Sequence, residues 1–480
     1  MAENERPQAI RRGRVVRAAP LLGAASRTAG EAVVASLRKR ATGNDTTADV
    51  HARAAERYVQ SLGRSKGVLM KAGQLLSFVT FAPAVGGDYQ GVYRAALARL
   101  QDGAPPMPPE VARGVVIAEL GAPPGEVFAE FDPEPLAAAS IGQVHAARLH
   151  DGRRVAVKIQ YPGVAEAIRA DLGNTELLAT FFQMARPLTG DMTRMNVRML
   201  AREATERISE ELDYRAEAAS QAEFADAYRG HPFIRIPEVV PECSTGKVFT
   251  MDLADGVRWS RALEAPQELK DRWGEAIYRF TLGSLRRLGL FNADPHPGNY
   301  LFNSDGTVTF LDFGCVKRFS RRQVTGIVDL VQATADGDAD RVFMAMTEAG
   351  FVDAANPDLP EPDELLAWFG SSLRPIIAPQ PYTYTPEQTA EVVQAMFSPF
   401  GPQSSVVRRL SMRPDYLLLT RIDLGMTAVL GELRATGRWR SVCREWDRGD
   451  PPVTPYGELD QAFWREHGDH ERLDRAGSVG

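Results

Sequence analysis

Cysteine is scarce: Cys243, Cys315 and Cys443 are the only three in 480 residues. None forms a C-x-x-C pair or a Cys/His metal spacing. A disulfide scaffold and a zinc module are therefore excluded as sources of stability, and the chain suits a reducing cytosol. Long apolar runs are missing as well. No stretch reaches the about 18 residues that a membrane-crossing helix needs. The N-terminus lacks the short apolar core of a secretory signal. Nor is there an excess of positive charge. The 56 Lys and Arg residues face 62 Asp and Glu, a formal charge of −6, which argues against a general nucleic-acid binder. Internal repeats are absent.

With 44% hydrophobic and 25% charged residues, the chain can bury a sizeable core, and its length suggests two or three packed units. One local charge bias stands out. Arg11, Arg12, Arg14, Arg17 and Arg27 occur with no acid between Glu5 and Glu31. Such an arm suits an anionic membrane surface or resembles a transit peptide. The helix expected behind it is only moderately apolar, which favours a solvated basic arm.

The pattern predicts helices over 46–100 and 110–120, separated by Gly103-Ala104-Pro105-Pro106-Met107-Pro108-Pro109, which no helix tolerates. Strands are expected over 144–149 and 153–159, joined by His150-Asp151-Gly152. Residues 164–228 read as helix, 236–240 and 248–253 as strands. From 264 onward helices dominate, with Trp273, Ile277, Phe280 and Leu288 on one face. A short strand pair, 300–303 and 308–311, interrupts them around Ser304-Asp305-Gly306. The charged tail after about 466 reads as disordered.

The densest chemistry lies in Asn292-Ala293-Asp294-Pro295-His296-Pro297-Gly298-Asn299 and in Asp312-Phe313-Gly314. Phosphoryl transfer needs a divalent metal, and hard oxygen donors suit Mg²⁺. Asn299 offers an amide oxygen and Asp312 a carboxylate. Asp294 can orient a hydroxyl or water, or accept its proton. The spacing from Asp294 to Asn299 matches a kinase catalytic loop, and a hairpin fits between Asn299 and Asp312. His296 is expected to fix the loop by hydrogen bonding.

Val155-Ala156-Val157-Lys158 resembles a V-A-I-K strand, in which alternation buries Val155 and Val157 and turns Ala156 and Lys158 to the other face. The turn before it is Ala137-Ala138-Ala139-Ser140-Ile141-Gly142, where a kinase carries glycines. Small side chains still admit phosphates, but alanine disfavours positive φ and stiffens the loop. Glu206, Glu210, Asp213 and Glu217 are spaced four, three and four residues apart, so they are expected to line one helix face.

Together these residues resemble the UbiB/ADCK family of atypical protein-kinase-like proteins over about 50–320. Lys71-Ala72-Gly73-Gln74 matches its K-x-G-Q signature, Leu100-Gln101-Asp102 with Pro105-Pro106 its next block, and Glu211-Leu212-Asp213 its E-x-D motif. The alanine-rich turn and the D-P-H-P-G-N loop match as well. The resemblance implies an α+β, bilobal, protein-kinase-like fold: a small β-rich N-lobe, a large helical C-lobe and an N-terminal helical extension over the active site. The expected divisions are an arm over 1–45, the extension over 46–130 and an N-lobe with inserted helices over 131–255. A C-lobe over 256–465 and a tail over 466–480 complete them.

By the same resemblance, ATP and Mg²⁺ are the cofactors. Asp294 and Lys158 are catalytic, and Asn299 and Asp312 hold metal. Ala137, Ala138, Ala139, Ser140, Gly142, Lys158, Glu217 and Met251 bind ATP, with Glu217 paired to Lys158. Lys71, Gly73, Gln74, Glu211 and Asp213 gate the site and obstruct protein substrates. Relatives act in isoprenoid-quinone and lipid metabolism at membranes and hydrolyse ATP more readily than they phosphorylate proteins. The expected ligands are thus ATP and a lipid or quinone-related small molecule, with no nucleic acid. The expected location is the cytoplasm, with peripheral contact at the inner face of the membrane. Asn292 departs from the family, whose members often carry His there to buttress the loop through hydrogen bonds; Asn can still donate and accept, so altered stability is expected more than lost function. Two other readings remain open: a small-molecule phosphotransferase of the antibiotic- or choline-kinase type, and a non-catalytic nucleotide-binding scaffold.

Overall fold

The computed structural model describes residues 106–139, 141–172, 212–353, 355–397, 403–410 and 414–468. The K-x-G-Q segment, Ser140 and Glu211 lie outside the described residues. The described residues fall into two compact units. The first holds those up to 215 together with 240–250; the second holds 216–239 and 251 onward.

In the first unit, helix α1 (Pro109–Leu120) starts on a proline, whose missing N–H costs nothing at a helix start, and ends at Gly121 with φ 79°. Ala112 and Val116, four apart, are its buried stripe. They pack on Phe128, Val155, Val157 and Ile159. Strands β1 (Glu130–Ala138), β2 (Gly142–Arg148) and β3 (Arg154–Gln160) form antiparallel pairs. Helix α2 (Val164–Leu172) follows. Helix α3 (Tyr214–Ala227) begins in this unit and continues into the second. Strand β4 (Val248–Asp252) completes the order β1-β2-β3-β4.

Several expectations change here. Strand β1 escapes the sequence pattern because Pro133 and Pro135 interrupt it. It is an edge strand with irregular register around Pro135, the setting in which proline is tolerated. Ala137 and Ala138 belong to this strand, paired with Val144 and Gln143, and Gly142 already opens β2, so these three lie in strands and not in the turn. Leu212 and Asp213 are not helical. Asp213 Oδ1 instead accepts the Arg215 N–H at 3.0 Å and caps α3. Asp213 therefore does not share a helix face with Glu217. Over 234–240 the strand is Ile234–Arg235, parallel to 308–309, and Val239 makes an isolated bridge to Met251.

In the second unit, helix α4 (Gln267–Leu288) is the central support, and Trp273, Ile277, Phe280 and Leu288 are all buried on it. Four three-residue strands follow: β5 (Leu290–Asn292), β6 (Tyr300–Phe302), β7 (Val308–Phe310) and β8 (Val316–Arg318). They pair antiparallel as β5 with β8 and β6 with β7. Helices α5 (Arg321–Asp336), α6 (Ala339–Glu348) and α7 (Pro362–Gly370) share a core of Leu330, Val342, Met346, Leu365 and Trp368. Helices α8 (Pro386–Phe397), α9 (Pro414–Leu433), α10 (Trp439–Arg448) and α11 (Pro455–His467) are the longer elements that follow.

A buried ionic network ties α10 and α11 to α4. Arg279, whose side chain is 0% exposed, meets Glu275 and Glu445 at 2.8 Å and Asp460 at 3.5 Å. Asp460 also meets His231 at 3.1 Å and Arg287 at 3.0 Å. Each buried charge is paired, the condition under which burial is tolerable. The three cysteines are free and buried. Among the described residues, no helix is long and apolar enough to cross a membrane.

Candidate functional site

The two acidic loops are held at both ends by short ladders. At one end β5 pairs with β8, and the Ala293 N–H continues the ladder to the Cys315 carbonyl at 2.7 Å. At the other, β6 pairs with β7 and the Leu311 N–H reaches the Asn299 carbonyl at 3.0 Å. Asp294 follows Ala293 and Asp312 follows Leu311. The backbone pairing thus gathers Asp294, Asn299 and Asp312 before any side chain contributes.

Side chains then lock the arrangement. Asn299 Nδ2 donates to Asp294 Oδ2 at 3.0 Å and to its carbonyl at 3.2 Å. This turns the Asn299 amide oxygen away from Asp294. Asn292 Nδ2 donates to the Asp312 carbonyl at 2.8 Å, while its Oδ1 accepts the Asp294 N–H at 3.2 Å. One buried side chain therefore links both acidic loops. His296 Nδ1 accepts the Gly298 N–H at 3.0 Å, a loop-fixing bond. Tyr300 beside Asn299 is buried. Burial, and then the Asp294 carboxylate, push its phenol far above the usual range, so it stays neutral.

Phe313 is 1% exposed and packs on Phe224 of α3, with ring centroids 4.9 Å apart. Gly314 donates its N–H to Asp312 Oδ1 at 2.9 Å. A β-carbon there would sit 3.3 Å from Asp312 Oδ1 and 3.8 Å from the Glu217 carboxyl. Glu217 on α3 is buried, as is Met251, whose sulfur receives Gln221 Nε2 at 3.2 Å. The second unit thus brings Asp294, Asn299 and Asp312 together, with Glu217 close to the glycine after Asp312.

The first unit carries Lys158 and the alanine-rich turn. Val155 and Val157 are fully buried and Lys158 is half-buried, but Ala156, expected on the other face with Lys158, is buried as well, so the strand is covered on both faces there. The Ala139 N–H donates to the Gly142 carbonyl at 2.8 Å, which closes the turn. A β-carbon on Gly142 would collide with the Ile159 carbonyl. No residue but glycine fits there.

Two supporting features went unread in the sequence. Helix α9 abuts the loop that carries Asp294: a β-carbon on Gly425 would come within 2.5 Å of Pro295, and Ile422 joins a core with Ala293 and Phe291. Nothing local in 414–433 signals this. Tyr214 lies under Lys158, its ring centroid 5.0 Å from the Lys158 ammonium. Its position directly after Glu211-Leu212-Asp213 was the available signal.

Comparison with known proteins bears on the family and the fold. A family model described as the ABC1 atypical kinase-like domain matches residues 99–346. The chain is 35% identical over 299 residues to the mitochondrial atypical kinase COQ8B of Rattus norvegicus, covering 62% of this chain and 54% of that protein. It is 36% identical over 267 residues to the mitochondrial atypical kinase COQ8 of Saccharomyces cerevisiae, covering 55% and 51% respectively. The chain thus spans about half the length of these curated relatives. A solved complex of Rv3197 with erythromycin, from Mycobacterium tuberculosis, is 32% identical with a TM-score of 0.59, covering 84% of this chain and 98% of that one. The fold is kinase-like and α+β. With its family model spanning over half of its length, the chain belongs to the ABC1 atypical kinase-like family, the UbiB/ADCK group whose motifs it carries.

Proposed function

We propose that this protein is a Mg²⁺-dependent ATP-binding kinase or ATPase that supports isoprenoid-quinone or lipid metabolism rather than phosphorylating proteins. The observation that carries this reading is the interlock of Asn292, Asp294, Asn299 and Asp312 inside two closed ladders. The donor chemistry fits Mg²⁺. The Asn299 amide oxygen and the Asp312 carboxylate are hard oxygens on adjacent backbone. Among the described residues no group of three or more His, Cys, Asp or Glu side chains gathers for a metal. Mg²⁺ needs no such cage, because one or two protein ligands suffice when phosphates and water complete its shell. When bound, the ion neutralises charge developing on the transferring phosphoryl group.

The chain's own residues supply the rest. Asp294, held by Asn299, orients the attacking hydroxyl or water and accepts its proton. Lys158 supplies positive charge to the phosphates, and Glu217 is its assigned acid. The alanine-rich turn and Met251 contact the nucleotide. Lys71, Gly73 and Gln74, with Glu211 and Asp213, gate access, and any membrane contact is peripheral at the cytoplasmic face. The test is Mg²⁺-dependent ATP hydrolysis, with and without anionic lipid, for the wild type and Asp312→Asn. A loss of about a hundredfold or more is expected. Unchanged hydrolysis in the variant would refute the assignment.

A second reading, a small-molecule phosphotransferase, is favoured by the likeness to a protein solved with erythromycin. Transfer of radiolabelled phosphate from ATP to a macrolide hydroxyl is its assay. Label appearing only as inorganic phosphate would leave the ATPase reading in place.

A further inference from the structure

We propose that Tyr214 is a positioning residue that holds Lys158 and the alanine-rich turn in one arrangement; this assignment rests on Lys158 serving the nucleotide. Four observations within the first unit meet at this side chain. The Lys158 ammonium stands over the Tyr214 ring, 5.0 Å from its centroid. A β-carbon on Gly142 would come within 2.9 Å of the Tyr214 hydroxyl oxygen, so the turn-closing glycine leaves the space into which that hydroxyl projects. The ring is 1% exposed and lies against Phe249, with centroids 6.4 Å apart. Its backbone is pinned on both sides: the Tyr214 N–H donates to the Gly246 carbonyl at 3.1 Å, and Asp213 caps the helix that starts here.

Sheet register explains why one side chain can serve two elements. Gly142 pairs with Gln160 and Val144 with Lys158, so the lysine and the turn glycine lie two residues apart along neighbouring strands. A lysine carries its charge on a flexible four-carbon stem, and an ammonium free to wander binds phosphate less well than one held in place. The face of an aromatic ring attracts a cation through its quadrupole, most strongly where water is excluded. Tyr214 is such a face, rigid because it is buried. Its hydroxyl edge rests against the turn while its ring carries the ammonium. The E-x-D segment just before it thereby gains a second consequence, because any shift of Asp213 moves the tyrosine that follows.

The test replaces Tyr214 in the full chain with phenylalanine and then with phenylalanines of increasing ring fluorination. Fluorination weakens the quadrupole with little change of shape. Mg-ATP affinity is measured by titration well below the melting midpoint. The expected result is a stepwise loss reaching about fivefold across the series, with a constant melting midpoint. A flat series in a protein that binds Mg-ATP would overturn the role of Tyr214. A second readout is independent of nucleotide: the ring current shifts the Lys158 ε-methylene resonance in the wild type, and Tyr214→Leu abolishes that shift. If the shift is present but wild-type protein binds no Mg-ATP, the contact stands and the nucleotide reading falls. If Tyr214→Leu lowers affinity equally in wild-type and Lys158→Met backgrounds, the ring acts by general packing and the inference is refuted.

Discussion

Replacing Asn292 with alanine removes both side-chain bonds that link the acidic loops, at 2.8 Å to the Asp312 carbonyl and 3.2 Å from the Asp294 N–H. The site is 9% exposed, so water cannot readily replace them. Each orphaned backbone group costs about 1–3 kcal/mol, giving roughly 2–4 kcal/mol once the two partners' partial access to solvent is allowed for. At about 2 °C per kcal/mol for a unit of about 250 residues, the melting midpoint should fall by roughly 4–8 °C. The β5–β8 ladder remains, so the fold survives while the acidic loops lose their tie. Misplacement on the ångström scale costs about a hundredfold in rate. The assay pairs a thermal melt with Mg²⁺-dependent ATP hydrolysis at a temperature where both proteins are folded. Asn292→His, which can still donate and accept, should retain more activity than alanine. A midpoint unchanged within about 1 °C, or activity lost only in proportion to the unfolded fraction, would refute the reasoning.

Gly142→Ala should destabilise by about 1–3 kcal/mol, because its β-carbon meets the backbone carbonyl of Ile159 as well as Tyr214. Gly114→Ala, mid-helix with nothing within 4 Å of the new β-carbon, should instead stabilise by up to about 1 kcal/mol. Equal melting midpoints for the two variants would contradict the geometry. Arg279→Met leaves Glu275, Glu445 and Asp460 facing one another, and about 3–5 kcal/mol should be lost in a urea titration. A loss below about 1 kcal/mol would show the network to be dispensable.

Acid should unfold the second unit in two stages. Burial lowers His231, outweighing the hydrogen bond that its Nε2 donates to Asp460, so His231 is neutral when folded and this contribution to stability is lost as pH falls below about 6.5. Burial alone would raise Asp460, but His231, Arg287 and Arg279 hold it down to about 2. Its contribution, on the order of 2 kcal/mol, is present above about pH 4 and disappears as pH falls toward 2. Melts of the wild type and Asp460→Asn between pH 7 and pH 2 check both windows. A midpoint independent of pH over that range would overturn the assignment.

Much of the site was legible because its chemistry is local in sequence. Asp294 and Asn299 are five residues apart, and one hairpin separates them from Asp312, so spacing alone implied their meeting. Lys158 was legible from alternation along a single strand. The strand at 130–138 was hidden, because two prolines remove ladder donors and edge position cannot be read without the neighbouring strands. The ladder between 290–292 and 316–318 was hidden too. Three residues carry no readable period, and the pairing exists only once the intervening loop has closed.

Tertiary structure decided what those residues could be held by. Sequence alone determined the acidic motifs, the lysine strand and the central helix with Trp273, Ile277, Phe280 and Leu288, since each depends on spacing within one element. It did not determine that Asp213 leaves the helix to cap it, that Asn292 ties two loops twenty residues apart, or that α9 presses on Pro295. Those outcomes depend on which distant groups share a buried space. A side chain far along the chain satisfies a hydrogen bond or fills a glycine's gap only when folding brings it there.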